Sequence, residues 1–400
     1  MLHRVAFSNF QSFRHRTDVD LTLTKKVALT NWMAEVATGE RISKIMAAIG
    51  PNGSGKTALL KPLAFLGWFI SQSFQISPES AIPLTPHAAA PNEPSEFECT
   101  LDFDGKLWRY ELSCTPQRVL HEALYLKRER FGYVFIRDWD PEANLYTVKQ
   151  KDFALPDREA RKVRQNVSLI SWAAQFGEPL AMRMVSPYVI TNINVLGRIP
   201  LGDGAVMSAA EHFSHRPNQQ QLMKNLLLAW DLGLTNVELN VFPVPNPEDP
   251  DKPGHNVWIP FGLHKDRGFE FSLPFAMESS GTQGAFVLLS RLLETLEIGG
   301  LAVIDEFEND LHPHMLEPIL NLFANPKTNP HNAQLLFSCH AAEVLNLLHK
   351  SQVMLVKKDS HCESSAIRMD QVEGIRSDDN YYAKYMAGAY GAVPQFVNIR

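Results

Sequence analysis

No apolar run in this chain approaches the roughly 20 residues needed to cross a bilayer. The opening, Met-Leu-His-Arg-Val-Ala-Phe, also lacks the apolar centre of a signal peptide. Neither membrane insertion nor export is expected, and a cytoplasmic location is. Cysteine is scarce: Cys99, Cys114, Cys339 and Cys362 are scattered without CxxC spacing. That argues against a disulfide framework and against a zinc site. A net charge of −6 argues against a general nucleic-acid wrapper, although a local basic stripe stays open. No heptad pattern is sustained over several turns and no internal repeat recurs, so a long coiled-coil arm is not expected.

What is present is a chain of 400 residues, 45% apolar, enough for two or three folding units around a normal core. Its most informative stretch is Gly50-Pro-Asn52-Gly53-Ser54-Gly55-Lys56-Thr57. The run Ile45–Ile49 ahead of it predicts a short buried strand, and Ala58-Leu59-Leu60 behind it opens a helix. Strand, glycine-rich loop and helix are the context a phosphate-binding loop requires. Gly50, Gly53 and Gly55 let successive N–H groups turn toward one anion, and the helix N-terminus adds partial positive charge. Lys56 suits the β- and γ-phosphates, and the Thr57 hydroxyl suits Mg2+. A nucleoside triphosphate, ATP, is the expected ligand.

Leu301-Ala302-Val303-Ile304 reads as a buried strand ending in Asp305-Glu306. Such a strand running into an acidic turn is common by itself. With a phosphate loop upstream in the same pattern, Asp305 is expected on the metal and Glu306 as the base that activates water. Gln334–Phe337 is a further apolar strand, followed by Ser338-Cys339-His340. Glu278-Ser279-Ser280-Gly281-Thr282-Gln283 precedes a helical pattern ending near Leu296; Ser280 and Gly281 at its start make a second anion site.

The remaining organisation is α/β, with helix and strand alternating from Gly281 onward. A strand is expected from Val5, another near Val19–Leu23, and a hairpin over Phe97–Ser113 around Asp104-Gly105. Val119–Lys127 reads as one more strand. Residues 79–95 and the stretch Pro243–Pro260 are proline-rich loops, and residues 157–235 are mostly helical in pattern. The basic run Arg158, Arg161, Lys162, Arg164 could face phosphates, or form a solvated helix face. His312 and His314 read as packing or interface groups rather than metal ligands.

Taken together, Asn9–Phe13, the phosphate loop, Glu278–Gln283, Asp305-Glu306, Leu311-His312-Pro313 and His340 resemble the head domain of RecF, SMC and ABC ATPases. The Ser-Ser-Gly-Thr-Gln form and the ending Tyr385–Pro394 are more similar to the compact phage-defence and abortive-infection ATPases, the RloA-, AbiL- and OLD-like groups. The resemblance covers residues 1–75, 96–130 and 233–400. It implies an ABC/SMC-type P-loop NTPase head, α/β in class, with an N-terminal antiparallel β subdomain and a helical insert. The expected divisions are 1–75, a β-hairpin subdomain at 96–130, the insert at 131–235 and the rest of the head at 236–400.

The resemblance further implies that Ser280 and Gly281 of one subunit close on nucleotide held by another, hence an ATP-sandwich homodimer. His340 then takes the place of the switch histidine, and Asn309–Pro313 that of the loop coupling the two sites. A transporter subunit is disfavoured by the form of the signature. OLD-type enzymes continue into a metal-dependent nuclease domain; here only some sixty residues follow His340. A nuclease or toxin is therefore expected in a separate effector, with this chain as sensor and scaffold in anti-phage defence, turning over slowly. The helical insert and the tyrosines Tyr381, Tyr382, Tyr385 and Tyr390 are the expected docking surfaces. A RecF-like ATPase binding nucleic acid is the alternative. Two departures from the pattern stand out. Gln11 occupies a place where relatives carry a basic residue, and the glutamine that links nucleotide to the helical lobe has only Gln72 and Gln75 as candidates.

Overall fold

The computed structural model describes residues 1–393 apart from 26, 37, 195–196, 246–253 and 310. Asp310 of the coupling loop, residues 246–253 of the second proline-rich loop and Pro394 thus lie outside the described residues.

The strand Ile45–Ile49 is buried at every position, as an interior parallel strand must be. It sits within a six-stranded sheet in the order Val189–Thr191, Leu301–Ile304, Gln334–Cys339, Ile45–Ile49, Val353–Lys358, Ser364–Arg368. The first five strands are parallel and the last is antiparallel. Side chains alternate between the two faces. Ile45, Ala47, Ile49, Ala302, Ile304, Leu335 and Phe337 enter one core, packed by the helices Asp203–Ser214, Pro217–Ala229, Ser280–Ile298 and Leu316–Ala324. Met46, Ala48, Leu301, Val303 and Leu336 enter the other, beneath the helix Lys56–Gln72.

A second, seven-stranded antiparallel sheet closes that other core. Its order is Leu145–Gln150, Phe131–Asp140, Val119–Lys127, Lys106–Cys114, Ser95–Phe103, Leu2–Ser8, Thr17–Asp20. The buried Gln334 side chain ties the two sheets together. Its Nε2 donates to the carbonyls of Leu2 at 2.9 Å and Ser43 at 3.0 Å, and its Oε1 accepts from Leu2 N–H at 2.5 Å. The expected hairpin turns at Asp104-Gly105, both with positive φ (51° and 68°).

Several expectations need correction. Residues 131–150, assigned to the helical insert, are the strands Phe131–Asp140 and Leu145–Gln150. Their alternation was hidden by a register shift between Tyr133 and Phe135 and by a fully buried Arg137. The stretch Val19–Leu23 breaks at Leu21 into two strands, Thr17–Asp20 and Thr22–Leu23, in different sheets. The strand Asn236–Val244 extends into the start of the second proline-rich loop, while the strand pair expected around Val257–Ile259 and Phe269–Phe271 is present as His255–Asp266 and Phe269–Pro274. Tyr381 and Tyr385 are buried in the core, and the half-buried Tyr382 and Tyr390 pack against it. No long coiled coil is present among the described residues, and none of their helices is long and apolar enough to cross a membrane.

Candidate nucleotide site

Every strand that matters ends at the same edge of the parallel sheet. Ile45–Ile49 delivers the phosphate loop, Leu301–Ile304 delivers Asp305 and Glu306, Gln334–Cys339 delivers His340, and Val189–Thr191 delivers Asn192. Ligands bind at the carboxyl ends of strands in such sheets. A cavity of about 770 Å³ opens there, lined by Asn52, Gly53, Gly55, Lys56, Thr57, Asp305, Glu306, Ser338 and His340.

The loop is shaped by close approaches that only glycine permits. Gly55 has φ 107°, and a Cβ there would lie 2.5 Å from Ser364 Oγ. Ser364 Oγ donates to the Ser54 carbonyl at 2.7 Å, so the last strand of the sheet buttresses the loop from behind. Ser54 is thereby turned inward and buried, whereas Asn52 and Gly53 are exposed at the loop tip. Lys56 folds back over the loop and donates to the carbonyls of Gly50 at 2.8 Å and Pro51 at 3.0 Å. Its Nζ is 3.3 Å from His340 Nδ1. Burial pushes the ammonium below its ordinary pKa, against the pull of Glu308, Asp305 and Glu306. A phosphate would supply the charge this lysine lacks.

Thr57 Oγ1 donates to Asp305 Oδ2 at 2.8 Å, and Ser338 Oγ donates to Asp305 Oδ1 at 2.5 Å. A hydroxyl and a carboxylate side by side are hard oxygen donors of the kind Mg2+ takes, with phosphate and water completing its shell. Thr57 and Asp305 therefore fit the ion; bound there with ATP, it would neutralise charge on the phosphates. Glu306 stands one residue on, in a left-handed conformation (φ 49°), with its N–H donating to Ser338 Oγ at 2.8 Å. One carboxylate oxygen pairs with Arg198, and the other lies 3.9 Å from His340 Nε2. A carboxylate and an imidazole thus face one another across the cavity mouth, the arrangement a water-activating pair needs.

The structure does not bring every expected residue here. Ser280 and Gly281 begin the helix Ser280–Ile298, capped by Ser279 Oγ accepting from Thr282 N–H at 3.1 Å, and do not line this cavity. Gln72 ends the phosphate-loop helix and Gln75 lies just beyond it; neither lines the cavity. Gln11, in contrast, does. His312 and His314 are exposed, and His312 caps the turn by accepting from His314 N–H at 3.3 Å.

Four contributors escaped the sequence reading. Lys61 lines the cavity five residues after Lys56 on the same helix, and Ser338 Oγ donates to Asp305 while accepting from Glu306 N–H. Asn192 clasps the acidic strand's end: its Nδ2 donates to the Asp305 carbonyl at 2.9 Å and its Oδ1 accepts from Asp305 N–H at 2.8 Å. Arg198 holds Glu306. The one signal pointing to Asn192 and Ser338 was shared: a polar residue at or near the end of a short apolar run, in the position Asp305 occupies in its own strand.

A phosphate loop, a Thr–Asp pair and an acid–imidazole pair on the carboxyl edge of a parallel sheet define a P-loop nucleotide-binding head. The chain belongs to the family described as "AAA domain, putative AbiEii toxin, Type IV TA system", which matches residues 45–346. No curated protein matches it. Among solved structures, the SMC head domain from Thermotoga maritima is 12% identical with a TM-score of 0.40, covering 92% of this chain and 98% of that one. The Smc head domain with a coiled coil and joint from Pyrococcus yayanosii is 10% identical with a TM-score of 0.45, covering 97% and 99%.

Proposed function

We propose that this chain is a slow ATPase that acts as a switch: two copies close on two ATP molecules, and the closed form controls a separate effector protein in anti-phage defence. The observation that supports this best is the convergence of Lys56, Thr57, Asp305, Glu306 and His340 on one cavity. In this reading Lys56 and the loop amides hold the phosphates, Asp305 and Thr57 the magnesium, and Glu306 takes a proton from water positioned with His340. The helix start at Ser280 and Gly281 stands apart from its own cavity, which suits a role against nucleotide held by a second copy. ATP contacts on two faces favour the closed dimer, and hydrolysis removes them, a population shift driven by the γ-phosphate. The family's description, a putative toxin of a toxin–antitoxin system, suits a role in abortive infection; that the toxic chemistry sits in a separate cytoplasmic partner, a nuclease or another toxin, is part of this proposal.

The test is a pull-down of tagged Glu306→Gln from its host with ATP and magnesium, read by mass spectrometry and nucleic-acid staining. A stoichiometric second protein supports the switch. Nuclease-sensitive DNA without a protein partner would instead favour a RecF-like repair ATPase. The basic run offers that alternative less than its sequence suggests. Arg164 is spent on the Ile76 carbonyl at 2.7 Å and Lys162 pairs with Glu159 at 3.0 Å, leaving Arg158 and Arg161 exposed.

A further inference from the structure

The segment after the strand Val189–Thr191 does more than anchor the acidic strand. Ile199 N–H donates to the Asn192 carbonyl at 2.7 Å, Asn194 N–H donates to the Gly197 carbonyl at 2.8 Å, and Ile193 and Arg198 form an antiparallel bridge. These contacts hold Asn192–Asn194 against Gly197–Ile199, and Asn192 is fixed to both backbone groups of Asp305. Arg198, bridged to Ile193 next to that anchor, brings its Nη1 to Glu306 Oε2. The position of the guanidinium is thus set by the same backbone that sets the carboxylate.

An ion pair this accessible, with side chains 23% and 42% exposed, contributes little to stability. Its value is geometric. Glu306 has two oxygens, and a freely rotating carboxylate at the cavity mouth would present neither consistently to water. With Oε2 held by Arg198, Oε1 is the one that faces His340. A residue that fixes a base without touching the reacting atoms changes the rate and leaves substrate affinity alone, because misplacement of about 1 Å can cost on the order of 100-fold.

We propose that Arg198 is a positioning residue for ATP hydrolysis, holding one oxygen of Glu306 so that the other is presented to the attacking water. This rests on Glu306 being the base. The experiment measures steady-state ATP turnover and nucleotide affinity for wild type, Arg198→Ala, Arg198→Lys, Glu306→Gln and the double variant Arg198→Ala/Glu306→Gln, with thermal unfolding as the control. The expected result is a fall in kcat of tenfold or more for Arg198→Ala, with KM within twofold and an unchanged unfolding temperature. Arg198→Lys recovers part of the rate, and Arg198→Ala costs nothing further in the Glu306→Gln background. Full turnover in Arg198→Ala beside an inactive Glu306→Gln overturns the role of Arg198 while leaving the base in place. So does a rise in kcat, which would make the pair a restraint, or a rise in KM alone, which would place Arg198 on the nucleotide. Should Arg198→Ala unfold, equal turnover in Arg198→Lys and Arg198→Gln overturns it as well. Absent wild-type turnover, or normal turnover in Glu306→Gln, would sink the parent reading and this one with it.

Discussion

Thr57 Oγ1 and Asp305 Oδ2 lie 2.8 Å apart although 248 residues separate them in sequence. That single hydrogen bond joins the start of the phosphate-loop helix to the end of the acidic strand. These two side chains are the ones that would hold a magnesium ion. Thr57→Val keeps the shape and removes the hydroxyl. Nucleotide affinity of wild type is expected to rise on adding magnesium, and that of Thr57→Val to respond by at least tenfold less. Titrations with and without a chelator read this directly, and equal magnesium responses would remove Thr57 from the ion.

Glu306→Gln is nearly isosteric and cannot accept a proton. Turnover is expected to fall by about 10² to 10⁴, the usual contribution of a general base, while ATP binding persists. Lys56→Ala should abolish binding itself, because the lysine is the ammonium at the loop. Fluorescent-nucleotide titration separates the two, and loss of binding in Glu306→Gln would contradict the assignment.

Much of this site was legible because its motifs are local. The octet at Gly50–Thr57 needs only its own backbone and one strand and helix, and Leu301–Glu306 announces itself as an apolar run ending in acids. Arg198 is not legible, since its partner lies 108 residues away and a polar residue in a loop carries no period to read; Asn192, 113 residues from its partner, shows only as a polar residue closing a short apolar run. The sheet was misread at 131–150 for a different reason. A β-bulge changes which residues face inward, and Arg137 occupies an inward position that an apolar residue would mark. The tyrosine tail cannot be read from sequence alone, because packing against a core and presentation to a partner use the same residue type.

The back wall of the phosphate loop gives a test of shape alone. Gly55→Ala places a Cβ 2.5 Å from Ser364 Oγ and 3.0 Å from Ser12 Oγ, at a φ of 107° that an alanine resists. The loop must shift, with a strain of about 1–3 kcal/mol, and phosphate affinity is expected to be lost while the sheet survives. Far-ultraviolet circular dichroism unchanged beside absent ATP binding fits this; wild-type affinity refutes the close approach.

On the outer face of the antiparallel sheet, His121 lies between Glu111 (3.8 Å) and Asp138 (2.6 Å). These carboxylates raise its pKa to about 9. The folded value exceeds that of the unfolded chain, about 6.5. The stabilisation is therefore fully present below about pH 6.5 and is lost as pH rises through 9. His121→Gln should destabilise the protein most at pH 6 and hardly at all at pH 10. A destabilisation that grows with pH would reverse the sign and exclude the charged imidazole.

The buried pair Arg137 and Glu122 carries the last prediction. Both side chains are fully buried, 3.5 Å apart. Arg137 also donates to the carbonyls of Val167 and Arg164 at 2.8 Å each. Glu122 accepts from Tyr110 Oη at 2.9 Å, Ser168 Oγ at 2.7 Å and Leu169 N–H at 2.8 Å. The cluster fastens the antiparallel sheet to the helix Leu169–Gln175. Removing one partner leaves the other buried with its hydrogen bonds but without an opposite charge, which costs about 3–5 kcal/mol. Arg137→Met should therefore destabilise by that amount. Arg137→Met combined with Glu122→Gln should recover part of it, since no buried charge remains. Denaturant unfolding of both variants decides the matter: an Arg137→Met variant within about 1 kcal/mol of wild type would mean that the interior accommodates the Glu122 carboxylate without its guanidinium.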